Sequence, residues 1–343
     1  ETIAKYTPNL SVLSLRFCSL SGHICGQLAG LQSLTVVDLQ YNLLTGSIPE
    51  FFANFSSLSV LQLSYNSLQG QVPPVIFQHK KLVIIDLHQN PNILGTLPNF
   101  STDSNQLENL LVGSTNFSGT IPSSISNLKR LKKLGLDALG FSGELPSSIG
   151  TLISLNSLQI SGLELVGSIP SWITNLTSLE VLEFSRSGLQ GPIPSSIGDL
   201  KKLTKLALYE CNISGKIPSG ILNLTQLHTL QLKSNNLIGT IELNSLWKLQ
   251  NLTFLSLSNN KLNVIEGEHN SSLVSFTNLW HLSLASCNIT DLPHVLRHSD
   301  KIAEVDLSDN QIHGAIPHWL WEKWTDIFLF NLNLSHNQIT TVG

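Results

Sequence analysis

The strongest constraint on the fold is a string, Leu-x-x-Leu-x-Leu-x-x-Asn-x-Leu-x-Gly-x-Ile-Pro, that recurs with a period of about 24 residues. The second copy runs Leu34, Val37, Leu39, Asn42, Leu44, Gly46, Ile48, Pro49; the third runs Leu58, Leu61, Leu63, Asn66, Leu68, Gly70, Val72, Pro73. With the Asn slot as marker, fourteen copies fall at 18, 42, 66, 90, 115, 139, 163, 187, 211, 235, 260, 287, 310 and 337. A unit this short cannot bury its own apolar side chains. Stacked copies can, because each covers its neighbour's core, and length is then not limited by one round core. The pattern predicts a single α/β repeat domain, 1–343, of about 14 turns.

Within each copy the alternating Leu-x-Leu reads as a half-buried strand, so the stack should carry one parallel sheet along its concave side. The marker then points inward, where Asn can give and accept hydrogen bonds to loop backbone that the sheet leaves unsatisfied. Seven copies keep Asn, and Cys18, Cys211 and Cys287 take the slot in three more. Thr115, Leu139, Leu163 and Ser187 depart from it, which predicts weaker loop packing there or other partners such as ordered water. The Gly-x-Ile-Pro segment reads as a turn, and ten of the fourteen prolines sit in its last position. Polar stretches such as 123–128 and 195–200 follow it, and predict short 3₁₀ or helical turns on the outer face. No capping segment is visible at either end, so both terminal caps are expected to be absent.

Charged residues make up only 12% of the chain and the net charge is −4, which excludes a dense cationic face for nucleic acid. No apolar run reaches the length of a membrane span, so no membrane contact is expected within these residues. Eleven Asn-x-Ser/Thr sequons, at Asn9, Asn54, Asn99, Asn116, Asn175, Asn212, Asn223, Asn251, Asn270, Asn288 and Asn333, point to the secretory pathway. In that oxidising setting Cys18 and Cys25 can pair; alternatively Cys18 is a ladder residue and Cys25 a drifted turn. Cys211 and Cys287 stand about three turns apart, too far to bridge, and are expected to be free buried thiols.

No nucleophile elbow, phosphate loop or paired-cysteine metal motif occurs, so the chain reads as a binding module with no cofactor and no catalytic residues. His294 and His298 lie four apart but have no evident third ligand, and no metal is expected. Candidate ligand contacts are the strand residues in columns that face out of the sheet. One position before the marker stand Phe17, Tyr41 and Tyr65, an aromatic ridge suited to a peptide, with Asp38, Asp86 and His88 nearby. Turns eight to ten carry a mixed charged patch of Glu183, Arg186, Lys205, Tyr209, Glu210 and Lys233. Between them lies a floor of small residues: Gly113, Ser114, Gly135, Ala138, Ser161 and Gly162. Asn116, Asn212 and Asn288 each follow a marker, which would align their glycans along one edge.

The Leu-x-Gly-x-Ile-Pro half of the repeat resembles that of plant-type extracellular leucine-rich repeats, over essentially the whole chain. Three stretches, 284–293, 305–321 and 332–337, are similar to plant receptor-like proteins of the Verticillium- and Cladosporium-resistance type. The resemblance implies a right-handed leucine-rich-repeat superhelix with a parallel concave sheet. It also implies a cell-surface immune receptor on the extracellular face of the plasma membrane, which recognises an apoplastic protein or peptide and signals through a co-receptor kinase. Two alternatives share the repeat: a soluble inhibitor of a pathogen hydrolase, similar to polygalacturonase-inhibiting proteins, and the ectodomain of a kinase-bearing peptide-hormone receptor.

Overall fold

In a computed structural model the strand prediction holds in every turn, and the chain is a leucine-rich-repeat solenoid. The structure describes residues 5–102, 105–162, 164–246, 248–267, 278–324 and 329–342. Two compact units divide it: Glu1–Val166 with Arg186–Gly188, and Gly167–Ser185 with Leu189–Gly343. Leu163 and Asn270 lie outside the described residues.

In the first unit, strands Val12–Ser14, Val36–Asp38, Val60–Gln62, Ile84–Asp86, Asn109–Leu111, Lys133–Asp137 and Ser157–Gly162 pair in parallel. The register joins equivalent repeat positions, Leu13 to Val37 to Leu61 to Ile85 to Leu110 to Leu134 to Leu158. That register puts every inward Leu of one turn over the inward Leu of the next. All seven are buried, and each contributes about 2 kcal/mol of apolar burial. The second unit repeats the scheme: Val181–Ser187 pairs with Lys205–Tyr209, followed by Thr229–Gln231, Phe254–Ser256, His281–Ser283, Glu304–Asp306 and Asn331–Asn333.

The outer face carries 3₁₀ turns where they were expected. Ser123–Asn127, Ser147–Thr151, Ser171–Asn175, Ser195–Asp199 and Ser219–Asn223 each start after the repeat Pro and bury one Ile. Pro fits there because its φ is already near −65° and it has no N–H to satisfy.

The Gly-x-Ile-Pro segment is more than a turn. Between the marker and the repeat Pro the chain forms short strands of a second parallel sheet. In the first unit, Gln69–Gln71, Asn92–Gly95, Asn116–Thr120, Gly140–Glu144 and Glu164–Val166 pair in order. The glycine four past the marker takes positive φ, +78° at Gly70 and +87° at Gly119, a backbone that side-chain-bearing residues rarely adopt. The sequence pattern reads as a turn because it has Gly where a strand would have a side chain; the pairing partner comes from the neighbouring turn.

The marker side chain does what its position predicts. Asn42 Nδ2 donates to the carbonyls of Leu15 (2.8 Å), Leu39 (2.9 Å) and Gln40 (3.1 Å), while its Oδ1 accepts from the N–H groups of Cys18 (3.0 Å) and Leu20 (2.9 Å). Asn66 and Asn90 repeat this arrangement, as do Asn235, Asn260, Asn310 and Asn337. The cysteines take the same slot: Cys287 Sγ faces the carbonyls of Ala285 (3.5 Å) and Leu257 (3.8 Å), and Cys211 Sγ those of Tyr209 (3.2 Å) and Phe184 (3.9 Å). Cys287 is buried and Cys211 half-buried, and neither is in a disulfide. Burial, with the Asp306 carboxylate adding to it, pushes the Cys287 thiol up to about 12.

The departures divide by chemistry. Thr115 keeps part of the role, its Oγ1 receiving the Phe117 N–H (3.4 Å) and donating to the Val112 carbonyl. Leu139 cannot, and lies 46% exposed. There the strand runs on instead: Lys133–Asp137 pairs with Ser157–Ser161 over five residues, and the Ala138 N–H turns back to the Leu136 carbonyl at 2.9 Å. At this turn sheet extension and a local turn stand where the Asn bonds are in other turns.

Candidate ligand-binding face

The aromatic ridge exists, but not on the strands. Phe17, Tyr41 and Tyr65 sit three residues beyond their strand ends in left-handed backbone, at φ 56°, 54° and 54°. For bulky residues this region is unfavourable by about 1 kcal/mol or more. At Tyr41 and Tyr65 the left-handed residue swings the two preceding carbonyls inward, where the marker Asn Nδ2 caps them; at Phe17 the marker is Cys18, whose Sγ faces the Arg16 carbonyl at 3.5 Å. The same geometry recurs one position before the marker at Gln89, Ser114, Arg186, Glu210, Ser234, Asn259, Ser286, Asp309 and His336. Sequence spacing found the column correctly and placed it on the wrong local structure.

The three rings stack along the repeat axis. Centroids are 4.3 Å apart for Phe17 and Tyr41 and 4.2 Å for Tyr41 and Tyr65, with interplanar angles of 22° and 10°. His88 continues the row edge-on to Tyr65 at 4.8 Å. The Arg16 guanidinium lies over Phe17 (5.0 Å) and Tyr41 (4.8 Å). Because its neighbours cover both faces of Tyr41, the ridge offers ring edges and hydroxyl groups rather than open faces. Ring edges carry partial positive charge, so with Arg16 the strip favours carbonyl and carboxylate oxygens. A hydrogen bond with the Tyr41 hydroxyl raises the Tyr65 phenol above its ordinary value, with burial and the charges of Tyr41 and Asp86 acting in the same direction.

Asp86 is a support, not a ligand contact. Only 4% exposed, its carboxylate accepts from Gln40 Nε2 (2.8 Å), Ser64 Oγ (3.3 Å), the His88 backbone N–H (3.3 Å) and His88 Nδ1. Those bonds use its lone pairs and fix the His88 ring. Asp38 is half-buried, accepting the Gln40 N–H at 3.1 Å. Sequence spacing missed Arg16, Gln40 and Ser64, although they lie in the same column as His88, two positions before the marker.

The charged patch resolves into pairs in the second unit. Glu183 accepts from Lys205 Nζ (2.7 Å) and the Tyr209 hydroxyl (3.1 Å), and Glu210 faces Lys233 at 3.4 Å. Arg186 is exposed and belongs to the first unit. The column six positions before the marker, in which sequence reading found only Lys205, continues further on: Phe254 and His281 stack at 3.9 Å, His281 Nδ1 meets Glu304 Oε2 at 2.7 Å, and Asn331 Nδ2 donates to Glu304 Oε1 at 3.3 Å. The small-residue floor is partly roofed, since the Asp137 carboxylate leans against Gly113 and Leu111 against Gly135. Ser114 is half-buried, while Ala138, Ser161 and Gly162 are buried.

Cys18 and Cys25 are free and exposed, and do not form the bridge their spacing allows. The reason is direction: Cys18 Sγ faces the Arg16 carbonyl and Cys25 Sγ the Gln27 side-chain amide, each at 3.5 Å. Eight sequon asparagines, Asn9, Asn54, Asn99, Asn116, Asn175, Asn212, Asn223 and Asn288, are exposed. Asn251 is half-buried and donates to the Thr225 carbonyl (2.9 Å); Asn333 faces out of the strand column with its Oδ1 held by Ser335. Among the described residues no His, Cys, Asp and Glu group is placed to hold a metal ion, and no helix is long and apolar enough to cross a membrane.

Family models described as leucine rich repeat match residues 8–68, 32–92 and 202–224. Receptor-like protein 7 of Arabidopsis thaliana is 44% identical over 64 residues, 19% of this chain and 6% of that protein. A solved TDR receptor is similar at 32% identity and a TM-score of 0.81, over 98% of this chain and 57% of that one. The plant peptide hormone receptor RGFR1 in complex with RGF2 is similar at 31% identity and a TM-score of 0.74, over 98% and 53%. The chain thus spans a little over half of those solved receptors and a small part of the curated relative. Nothing in these matches singles out the Verticillium and Cladosporium type. What the repeat, its Asn ladder and the second sheet establish together is a leucine-rich-repeat solenoid, similar to Arabidopsis receptor-like proteins and to solved plant receptor ectodomains.

Proposed function

We propose that this chain is the ligand-binding part of a plant cell-surface receptor-like protein of the immune type, that it takes an extended apoplastic peptide or protein segment on its concave face, and that it is not an enzyme. The observation that carries the reading is the stacked row of Phe17, Tyr41 and Tyr65 with Arg16 at one end and the Asp86-fixed His88 at the other. Such a row is rigid before binding, so little side-chain freedom is lost when a peptide backbone lies across it. Resemblance supplies the rest of the proposal: a location on the extracellular face of the plasma membrane, glycans on the exposed sequons, and signalling through a co-receptor kinase.

A second reading, the ectodomain of a kinase-bearing peptide-hormone receptor, is favoured by likeness to RGFR1 along 98% of the chain. The coding sequence beyond Gly343 separates the two. A membrane helix with a short tail supports the first, a kinase supports the second, and an immediate stop codon favours a soluble inhibitor.

The site is tested by probing the purified chain with an array of synthetic secreted-peptide sequences. Tyr41→Ala with Tyr65→Ala should weaken capture of the peptides bound by wild type by roughly tenfold or more, with the thermal unfolding transition retained. Full capture by the double variant removes the ridge from the site.

A further inference from the structure

A net charge of −4 hides one basic rim in the first unit. Ten to six positions before the marker, where the outer face returns to the concave sheet, turn four carries Lys80 and Lys81, and turn six carries Lys129, Arg130, Lys132 and Lys133. All six are exposed. The acid at these positions in turns four to six is Glu108; Asp103, earlier in turn five, lies outside the described residues. Backbone bonds keep the turns in step, the Glu108 N–H donating to the Val83 carbonyl (2.8 Å) and the Lys132 N–H to the Glu108 carbonyl (2.7 Å). Lys81 and Arg130, at equivalent positions two turns apart, are thus separated by about 10 Å along the stack.

Little of this charge is neutralised. Glu108 pairs with Lys132 at 2.7 Å. Lys129 Nζ donates to Thr151 Oγ1 (3.3 Å) and Arg130 to Gln106 Oε1, both neutral partners. Glu108 therefore offsets one of six cations, and Asp103 at most one more. Glycosylation sequons also avoid the rim. Twelve positions before the marker, Asn54, Asn175 and Asn223 each have Ser or Thr two residues on; in turn six the equivalent Asn127-Leu128 is followed by Lys129. A cation stands where the sequon would be completed, and Asn127 Nδ2 donates to the Phe100 carbonyl at 2.9 Å. The leucines between the cations, Leu82, Leu107 and Leu131, are buried. The rim thus shows charge and amides, without the apolar anchor on which a protein interface centres.

We propose that this rim binds an acidic polysaccharide with a carboxylate on each sugar, a polyuronate, at a surface separate from the aromatic ridge. Lysine ammonium groups on long flexible stems can follow charges spaced along a mobile chain, where a fixed guanidinium pair would select one carboxylate. Asn105, Gln106 and Asn109 lie between the two basic turns, half-buried, and supply donors and acceptors for sugar hydroxyls. Because the cations are exposed, salt screens the attraction.

Calorimetric titration of the purified chain with hexagalacturonate, its methyl ester and hexaglutamate tests this. At about 0.05 M NaCl the uronate should bind at least about tenfold more tightly than either control, and raising the salt to about 0.5 M should weaken it by a further tenfold or more. Lys129→Gln with Arg130→Gln and Lys133→Gln, which leaves the Lys132 and Glu108 pair in place, should weaken binding by about tenfold or more. The melting transition should stay in place, since all three are exposed. Lys201→Gln with Lys202→Gln, at the equivalent positions of turn nine, and Tyr41→Ala with Tyr65→Ala should each bind the uronate within about twofold of wild type. If the uronate does not bind, if the ester or hexaglutamate binds as tightly, if the triple variant binds as wild type does, or if either control variant loses as much as the triple variant, the proposal is wrong.

Discussion

Turns three and six of the first unit are built from the same repeat and satisfy their backbone in opposite ways. In turn three, Asn66 gathers the carbonyls of Leu39, Leu63 and Ser64 and the Leu44 N–H, and Tyr65 before it stands in left-handed backbone. In turn six, Leu139 makes none of these bonds, the strand Lys133–Asp137 extends, and Ala138 stays out of the left-handed region. The comparison shows what the Asn is for. Where Asn holds the slot it caps the carbonyls that the left-handed residue turns inward. Phe17, Ser114, Arg186, Glu210 and Ser286 take the same backbone before Cys18, Thr115, Ser187, Cys211 and Cys287, so a hydroxyl or thiol in the slot also accompanies it, and aliphatic Leu139 does not. The ridge at 17, 41 and 65 stands on that backbone, with Cys18, Asn42 and Asn66 in the slot, and the floor around Gly135 and Ala138 lies where Leu139 fills it.

The comparison is easiest to break at Asn66. Asn66→Ala leaves three buried carbonyls and the Leu44 N–H without their partner, and should lower stability by about 3 kcal/mol in urea unfolding. A loss below about 1 kcal/mol would put the ladder in doubt. The cysteine turns form a third case. The Cys287 thiol ionises near 9.0 when free and at about 12 when buried. The unfolded chain therefore gives up its proton first, and binds fewer protons than the folded chain above pH 9. Stability should fall with rising pH in that window, by on the order of 1 kcal/mol per pH unit, and Cys287→Ala should flatten the slope. An unchanged slope would mean that another group sets it.

Smaller effects sharpen the contrast. Thr115→Val removes one hydroxyl that serves a single carbonyl and one N–H, and should cost about 1 kcal/mol by thermal melting. Leu139→Asn restores the repeat residue where the backbone no longer needs it, and should change stability by less than about 0.5 kcal/mol. A gain comparable to the loss at Asn66 would show that turn six is a ladder turn lacking only its side chain.

The period, the inward Leu columns, the Asn slots and the outer 3₁₀ turns are all legible in the sequence because each follows from one turn and its copy. What is not legible depends on a neighbour. The second sheet is hidden because Gly70 or Gly119 signals a turn unless the adjacent strand is known. The buried state of Asp86 is hidden because Gln40 and Ser64, its donors, come from two other turns. The ridge column is visible, yet its left-handed backbone is not, since no residue preference places Tyr41 or Tyr65 there. That backbone goes with the polar or thiol side chain in the marker slot, here Asn42 and Asn66. Turn twelve, where Pro293 stands six residues past Cys287 instead of seven, reads from spacing alone only as irregular.

Amide hydrogen exchange in Asn66→Ala reads the role of the marker Asn at a single bond. The Leu44 N–H, which donates to Asn66 Oδ1 at 3.0 Å, should exchange at least about tenfold faster than in wild type. The amides of the extended strand Lys133–Asp137 should keep their protection. If Leu44 stays as protected as in wild type, the marker Asn is not what holds that N–H.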